Sequence, residues 1–560
     1  MTDVPRRVFL TGFSGTGKST VASLVANVLG WRVLDTDLLI HEMTGRSITE
    51  IFAGDGEARF RVLERAALQR AVSEANVVIA TGGGAMPDAE DRRAMTAAGL
   101  VVCLDARPET IVQRLSDAKG MPVSERPLLT GDDPLARVTK LKAQRQKFYA
   151  LADVIIETDG RAPTEIAAFV VDAVRAADPW FSCHPERLLL PEERATPPPA
   201  EPFWVEAPSR RYPVHVGWGE LDRLGELLRE AGLSGAAYVI SDTEVLPRHG
   251  ERALLSLRDA GFQADAFAIP AGEASKSLDT AATIYDWLVA HRAERRHAIV
   301  ALGGGVVGDL AGFVAATYLR GVPFVQAPTS MLAMVDASIG GKAAVDHREG
   351  KNLVGAFYQP LLVVEDVSTL KTLPRRALLE GFAEAIKHAF ILDPGLLADL
   401  EARADDLLHL EPACTVDIVR RNVAIKGGMV AQDELDQGPR AILNYGHTIA
   451  HAIEAAADYH DVLHGEAVAV GMMAAAEIGR RLELTPGEVV ERQRALLERF
   501  GLPTKGPKLD PERVLAAIKL DKKVTAGSVR WVLLEDVGHA ALRSDVRPEL
   551  IREVVEEVLT

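Results

Sequence analysis

The stretch Gly12-Phe13-Ser14-Gly15-Thr16-Gly17-Lys18-Ser19 decides how the front of the chain is read. It matches G-x-x-x-x-G-K-S in full, with an apolar run from Arg7 to Leu10 before it and a helical pattern from Ser19 to Leu29 after it. A strand, a glycine turn and a helix in that order make a phosphate cradle. Glycines let backbone N–H groups close on phosphate oxygens, and the helix N-terminus adds a favourable dipole. Gly15, Thr16 and Gly17 supply that backbone, Lys18 neutralises the outer phosphates, and Ser19, followed by Thr20, offers a hydroxyl to Mg²⁺. ATP and Mg²⁺ are the expected cofactors here.

Outward from the loop, Val77 to Ala80, Leu100 to Leu104 and Val154 to Ile156 read as further buried strands, with helical patterns such as Arg59 to Glu74 between them. That alternation predicts an α/β domain with a parallel sheet. The back half starts alike, with strands near Ala237 to Ile240, Ala298 to Leu302 and Leu361 to Val364, and turns mostly helical from about Leu373. Eight of the thirty prolines lie between Pro185 and Pro213, including Pro197-Pro198-Pro199. Such a segment reads as a semi-rigid spacer. The expected organisation is a P-loop domain over 1–180, a linker over 181–211, a Rossmann-like α/β domain over 212–372 and a mostly α-helical domain over 373–560, with the second active site in the cleft between the last two.

Composition narrows the function. A formal net charge of −16 argues against a nucleic-acid or anionic-membrane partner and leaves small-molecule substrates. The three cysteines, Cys103, Cys183 and Cys414, form no C-x-x-C pair, which fits a reducing cytoplasm. Met1 to Gly12 lacks the apolar core of a signal peptide. The apolar run Ile299 to Tyr318 contains Asp309 and many glycines, so it reads as a ligand-approaching turn and not a membrane span.

Five motifs in the front half stand in the order and spacing of the shikimate kinase family, which this part resembles. Besides the phosphate loop they are Asp35-Thr36-Asp37, Phe60-Arg61-x-x-Glu64, Gly82-Gly83-Gly84, Arg126-Pro127-Leu128-Leu129 and Arg145-x-x-x-Tyr149. The resemblance implies that Asp35 lies near Mg²⁺ and that Asp37 positions the attacking hydroxyl. Arg61 and Arg145 would anchor the substrate carboxylate, Gly83 would lie against the ring, and Arg126 would reach the ATP phosphates from a lid. Taken singly, Arg61 and Arg145 could be solvated helix arginines and Asp37 a helix N-cap. A gluconate- or adenylate-type kinase is the alternative, since it shares the loop and lid.

In the back half, Gly303-Gly304-Gly305-Val306-Val307-Gly308 fits G-x-G-x-x-G after a strand, but no acidic residue follows about 20 residues later. Asp242, ending an earlier strand, could do that work. His447 and His451 stand at i and i+4 on one helix face, with His464 and Glu384 elsewhere. A glutamate, two histidines and an open position suit catalytic zinc. Thr448 after His447 excludes H-E-x-x-H. His388 and His460 read as histidines satisfied in a helical core.

From about Tyr212 onward the chain resembles 3-dehydroquinate synthase. The resemblance rests on Pro270-x-Gly272-Glu273-x-x-Lys276-Ser277, Gly303 to Asp309, Tyr318-Leu319-Arg320-Gly321-Val322-Pro323 and Asp336 to Lys342, with Lys351-Asn352, Leu443 to His447 and Asp521-Lys522-Lys523. It implies NAD at Asp242, Glu273, Lys276, Gly305, Val306, Val307, Gly308, Asp309, Thr329, Ser330, Lys342, Lys351 and Thr369-Leu370-Lys371-Thr372. It places Zn²⁺ or Co²⁺ on Glu384, His447 and His464. Lys426, Arg440 and Asn444 match the substrate-carboxylate side. Lys342, Asn352 and Lys522 or Lys523 match the phosphate side. Asp336 would contact a ring hydroxyl. Arg320 matches a contact made across a homodimer. His451, Lys387 and Asp436, where some members have glutamate, are the catalytic candidates. In the chemistry so implied, oxidation at C5 acidifies the C6 proton, phosphate leaves by β-elimination, the ketone is reduced again, and an aldol closure gives the carbocycle. A polyol dehydrogenase or another sugar-phosphate cyclase is the alternative enzyme, and a P-loop regulatory module on a non-catalytic scaffold the alternative class.

Overall fold

Short apolar runs bounded by glycine are buried on both faces, and parallel strands flanked by helices accommodate that pattern. The computed structural model describes residues 7–117, 133–176, 188–190, 201–457, 462–520, 524–525 and 528–559. The chain divides into two compact units, Met1–Ala200 with Pro247–Leu255, and Glu201–Leu246 with Ser256–Thr560.

In the first unit, β1 (Arg7–Thr11), α1 (Lys18–Leu29), β2 (Arg32–Asp35), α2 (Thr36–Thr44), α3 (Ile48–Val72), β3 (Val77–Ala80), α4 (Ala89–Ala98), β4 (Leu100–Asp105), α5 (Pro108–Asp117), α6 (Pro134–Tyr149), β5 (Val154–Glu157) and α7 (Pro163–Arg175) alternate. The five strands are all parallel, in the order β2-β3-β1-β4-β5. Each expected strand is present, ending at or slightly beyond its expected limit. The expected helix at Arg59 is the second part of α3, which breaks at Gly56 (φ 76°, ψ 176°), and a first part from Ile48, opened by a reciprocal capping box of Ser47 and Glu50, precedes it. Val21, Val25, Ile166 and Val170 pack on Val8, Leu10 and Val102. This core leaves the glycine loop at the C-terminal end of the central strand, where open α/β sheets bind ligands.

The main sheet of the second unit has seven strands, β6 (Phe203–Ala207), β7 (Arg210–Gly217), β8 (Ala236–Asp242), β9 (Gln263–Ile269), β10 (Ala298–Gly303), β11 (Phe324–Pro328) and, after the separate antiparallel pair β12 (Lys342–His347) and β13 (Gly350–Phe357), β14 (Leu362–Asp366). The sheet order is β6-β7-β14-β11-β10-β8-β9, parallel except for the β6–β7 hairpin at one edge. α8 (Gly305–Thr317) follows β10.

The linker expected through 211 is corrected at its end. Phe203–Ala207 and Arg210–Gly217 pair as strands. Pro208 and Ser209 make the turn, and Tyr212, Val214 and Val216 alternate inward. That period-two burial outweighs the proline content that suggested a spacer.

The helices that follow include α9 (Arg375–Leu392), α10 (Pro412–Gln432), α11 (His447–Ala456) and α12 (His464–Arg481). The boundary expected at 372/373 falls inside this second unit. A late hairpin, Trp531–Asp536 with His539–Arg543, interrupts the expected helical run. Ile299 to Tyr318 forms β10 and α8, and among the described residues no helix is long and apolar enough to cross a membrane. Cys103 and Cys414 are buried and free, while Cys183 and His460 lie outside the described residues.

α11 and α12 cross closely enough that only glycine fits at the contact. A Cβ on Gly471 would lie 2.0 Å from the Gly446 carbonyl oxygen. Gly446 itself is left-handed at φ 79° and caps α11 one residue before His447. The Gly471→Ala substitution is therefore expected to destabilise the second unit by about 1–3 kcal/mol through overpacking. Calorimetry would register this as a thermal midpoint several degrees lower, and an unchanged midpoint would show the crossing to be loose.

Candidate active sites

In the first unit the loop after β1 is shaped by Gly15 and Gly17, at φ +87° and +94°, values that favour glycine. Lys18 Nζ donates to the carbonyls of Gly12 and Phe13 at 3.0 Å each. Burial lowers its pKa against the pull of Asp37 and Asp35. Ser19 Oγ donates to Asp35 at 2.7 Å, so a hydroxyl and a carboxylate stand together where Mg²⁺ would bind beside the phosphates. Thr20 is exposed on the first turn of α1.

Asp35 also accepts the Asp37 N–H at 3.0 Å, so Asp35, and not Asp37, caps α2. Crowding by surrounding protein and the charge of Asp35 push the Asp37 carboxyl up to about 6, against Lys18. The triplet Gly82-Gly83-Gly84 forms the floor. A Cβ on Gly82 would lie 2.3 Å from Glu64 Oε1, and one on Gly84 would lie 1.7 Å from Arg61. Arg61 is half-buried against Glu64 at 2.6 Å and Glu57 at 2.9 Å. Arg145 and Tyr149 both donate to the Gly83 carbonyl, at 3.2 and 3.3 Å. Arg61, Gly83 and Arg145 thus meet at one place, with Gly82 close to Asp37. Arg126 lies outside the described residues.

The second unit encloses a cavity of about 530 Å³ lined by Asp309, Asp336, Lys342, Asn352, Lys387, Lys426, Asp436, Arg440, Asn444, His447, His451 and His464 among others. The metal face lies at one wall. Glu384, fully buried on α9, has Oε1 3.5 Å from His447 Nε2 and 3.8 Å from His464 Nε2. That oxygen is buried and accepts no hydrogen bond among the described residues. Lys387 Nζ donates to the other oxygen. The two imidazoles are oriented from behind, His447 Nδ1 lying 3.1 Å from the Tyr445 carbonyl and His464 Nδ1 3.2 Å from Glu454.

An orphaned carboxylate oxygen facing two imidazole nitrogens, each fixed through its other nitrogen, fits a divalent metal with an open position. Burial disfavours the charged form of His464, but Glu454, Glu384 and Glu380 outweigh it and raise its pKa to about 9. The ring of His451 lies 5.5 Å from that of His447. His388, the histidine read as structural, is fully buried and bonded to Asn422 at 2.9 Å.

Across the cavity, Lys426 Nζ donates to Asp336. Burial lowers Lys426 to about 8 despite that partner. Burial would raise Asp336, but Lys426, Lys387 and His388 hold it far below the carboxylate range. Arg440 is 2% exposed and donates to the Glu434 carbonyl at 2.9 Å. Lys342 pairs with Asp436 at 2.5 Å. Asn352 and Asp436 both hold left-handed backbone, at φ 57°.

The glycine turn enters α8, with Gly304 as its cap. A Cβ on Gly303 would lie 2.6 Å from the Val307 side chain, so the tight entry needs glycine. Gly305 and Val306 open α8, where N–H groups at a helix start suit a nucleotide phosphate, while the Gly308 N–H donates to the Gly304 carbonyl at 3.0 Å. Asp309 lines the cavity and pairs with Lys276 at 2.6 Å, and Glu273 lies 4.0 Å from Lys276 and 3.4 Å from Lys351. Burial raises the Asp309 pKa against Lys276, while Asp309 outweighs burial to raise Lys276. This charge chain beside α8 fits an NAD site.

Other expected NAD contacts are engaged locally and do not line the cavity. Asp242 accepts the N–H groups of Glu244 and Val245 at 2.8 Å. Thr369 and Thr372 donate to backbone carbonyls at 2.8 and 2.9 Å, Lys371 donates to the His409 carbonyl at 3.2 Å, and Leu370 is buried. Thr329 donates its N–H to Gly303 O at 3.0 Å, and Ser330 Oγ accepts from Ala333 N at 3.3 Å. Arg320 is exposed on a left-handed turn, at φ 65°. Lys522 and Lys523 lie outside the described residues. Sequence reasoning missed Glu454, although it follows His447 by seven residues on the same face of α11, and it missed Glu434, which has no local signal.

Residues 14–175 match the shikimate kinase family model, 266–380 that of the 3-dehydroquinate synthase N-terminal domain and 381–524 that of its C-terminal domain. A 3-dehydroquinate synthase of Nostoc punctiforme is 44% identical over 355 residues, covering 63% of this chain and 98% of its own. A solved 2-deoxy-scyllo-inosose synthase, complexed with carbaglucose-6-phosphate, NAD⁺ and Co²⁺, is 29% identical with a TM-score of 0.58, covering 64% of this chain and all of its own. A solved 2-epi-5-epi-valiolone synthase from Streptomyces hygroscopicus, with NAD⁺ and Zn²⁺ bound, is 27% identical with a TM-score of 0.58 and covers 62% and 96%. The chain belongs to the 3-dehydroquinate synthase family through its second unit and carries a shikimate kinase domain in its first.

Proposed function

We propose that the second unit converts 3-deoxy-D-arabino-heptulosonate 7-phosphate to 3-dehydroquinate and phosphate, and that the first transfers phosphate from ATP to the 3-hydroxyl of shikimate. The observation that carries the synthase reading is the joining, in one cavity, of a metal-ligand face with three anion-binding cations, Lys342, Lys426 and Arg440. A neutral polyol needs no such clamp, and a non-catalytic scaffold needs no open ligand face. Bound NAD supplies acceptance and return of hydride, and a divalent metal on Glu384, His447 and His464 supplies Lewis acidity.

The chain's own residues do the rest. Lys426, Arg440 and Asn444 hold the carboxylate, while Lys342 and Asn352, with Lys522 or Lys523, hold the phosphate. Asp336 receives a ring hydroxyl, and Lys387 keeps Glu384 in place. His451 moves a proton at the cavity wall, and Asp436 fixes Lys342. Arg320, exposed and outside the cavity lining, serves the phosphate of a second copy, so the working form is a homodimer through this unit. In the kinase, Lys18 and the loop backbone hold the ATP phosphates, with Ser19 and Asp35 at Mg²⁺ and Arg126 from the lid. Arg61 and Arg145 take the shikimate carboxylate over Gly83, and Asp37 accepts the proton of the attacking hydroxyl.

Incubation with NAD and the sugar acid phosphate is expected to release phosphate without stoichiometric NADH. One NADH per substrate consumed would establish a dehydrogenase instead. The His464→Ala variant should lose bound metal by elemental analysis, and chelation should stop cyclisation until Zn²⁺ or Co²⁺ is returned; full occupancy in that variant would remove His464 from the ligand set. Because Asp37 must be ionised to accept a proton and its pKa is raised to about 6, the shikimate kcat/KM should fall as pH drops through about 6. A profile flat down to pH 4.5, about one and a half units below that value, would deny Asp37 the role.

A further inference from the structure

Lys426 and Arg440 are buried cations, and a buried cation stays where its supports place it. The supports of both lead to the β6–β7 hairpin. We propose that this hairpin positions the cation pair, with Ser209 and Tyr212 as positioning residues; the inference rests on the reading that Lys426 and Arg440 take the substrate carboxylate.

Three contacts carry it. Tyr212, fully buried on β7, accepts the Gly340 N–H at its hydroxyl oxygen at 3.1 Å. Gly340 lies directly against Arg440, since a Cβ there would sit 2.5 Å from the guanidinium. In the turn of the hairpin, the Ser209 N–H donates to Glu434 at 2.9 Å and the Ser209 hydroxyl donates to its other oxygen. Glu434 in turn offers its backbone carbonyl to Arg440 at 2.9 Å. Finally α10, which carries Lys426, rests on β6. A Cβ on the neighbouring Gly427 would lie 2.7 Å from Phe203 and 3.1 Å from Val205.

One hairpin therefore meets the Arg440 guanidinium through Gly340, its carbonyl partner through Glu434, and the helix that presents Lys426. None of its residues lines the cavity. The arrangement fixes where the carboxylate binds, without touching substrate, NAD or metal. Loss of the Tyr212 hydroxyl removes the acceptor of the Gly340 N–H, and loss of the Ser209 hydroxyl leaves Glu434 held by Gln359 at 2.8 Å and by the Ser209 N–H; each weakens the hold on Arg440.

The test uses the full chain with Tyr212→Phe and Ser209→Ala, each of which removes a single oxygen. Each is expected to raise KM for the sugar acid phosphate about tenfold, with kcat, NAD affinity and metal content within about twofold and the thermal midpoint retained. Ser209→Thr, which keeps the hydroxyl, should restore KM. Arg440→Ala separates the two levels. Should Arg440→Ala leave KM unchanged, the carboxylate reading falls. Should it raise KM while both hairpin variants behave as the parent, the positioning role falls. Hairpin variants that lose NAD affinity and metal together with substrate affinity would show general damage and overturn the proposal as well.

Discussion

A carboxylate buried away from water has to be compensated on every side, and Glu384 sets that condition for the second unit. One of its oxygens accepts from Lys387, and the other faces the Nε2 atoms of His447 and His464. Removing one partner from such a cluster strands the others in a low dielectric. The elements that deliver those partners are accordingly fixed, α9 for Glu384 and Lys387, the start of α11 for His447 and the start of α12 for His464. The glycine contact sets the start of α11 against the middle of α12, two turns beyond His464, so backbone packing and metal-site geometry are linked.

The first unit meets a milder form of the same condition. Arg61 and Glu64 are brought under the substrate floor because Gly82 and Gly84 carry no side chains. In the second unit Arg440 is approached in the same way, by Gly340. Glycine recurs beside the chemistry for a steric reason, and only some of these positions also need a left-handed backbone.

What could be read from the sequence followed the range of the contacts. The phosphate loop is local, eight residues between a strand and a helix, and its reading needs nothing from the rest of the chain. The i, i+4 spacing of His447 and His451 is equally local, and Glu454 lay within reach of the same helical argument. The Tyr212–Gly340 and Ser209–Glu434 contacts join residues 128 and 225 positions apart, and no periodicity encodes such a pairing. The end of the linker was misread for a related reason. Prolines are counted one by one, whereas the inward alternation of Tyr212, Val214 and Val216 acquires meaning only against the neighbouring strand β14. Asp242, Thr369 and Thr372 were placed at NAD by resemblance, and their side chains bond to turns of their own backbone.

Asn352 and Asp436 face the cavity on a left-handed backbone, a conformation that Asn, Asp and Gly enter at less cost than other residues. Any library that randomises these two positions will be filtered first by the main chain. Survivors will be enriched in those three residues even under selection for folding alone. A tolerance map of the cavity would then overstate the chemical demand at 352 and 436 relative to Lys342 or Lys426. Engineers seeking a new substrate should recruit diversity at Lys342, which is exposed on a strand, since Lys426 is buried against Asp336.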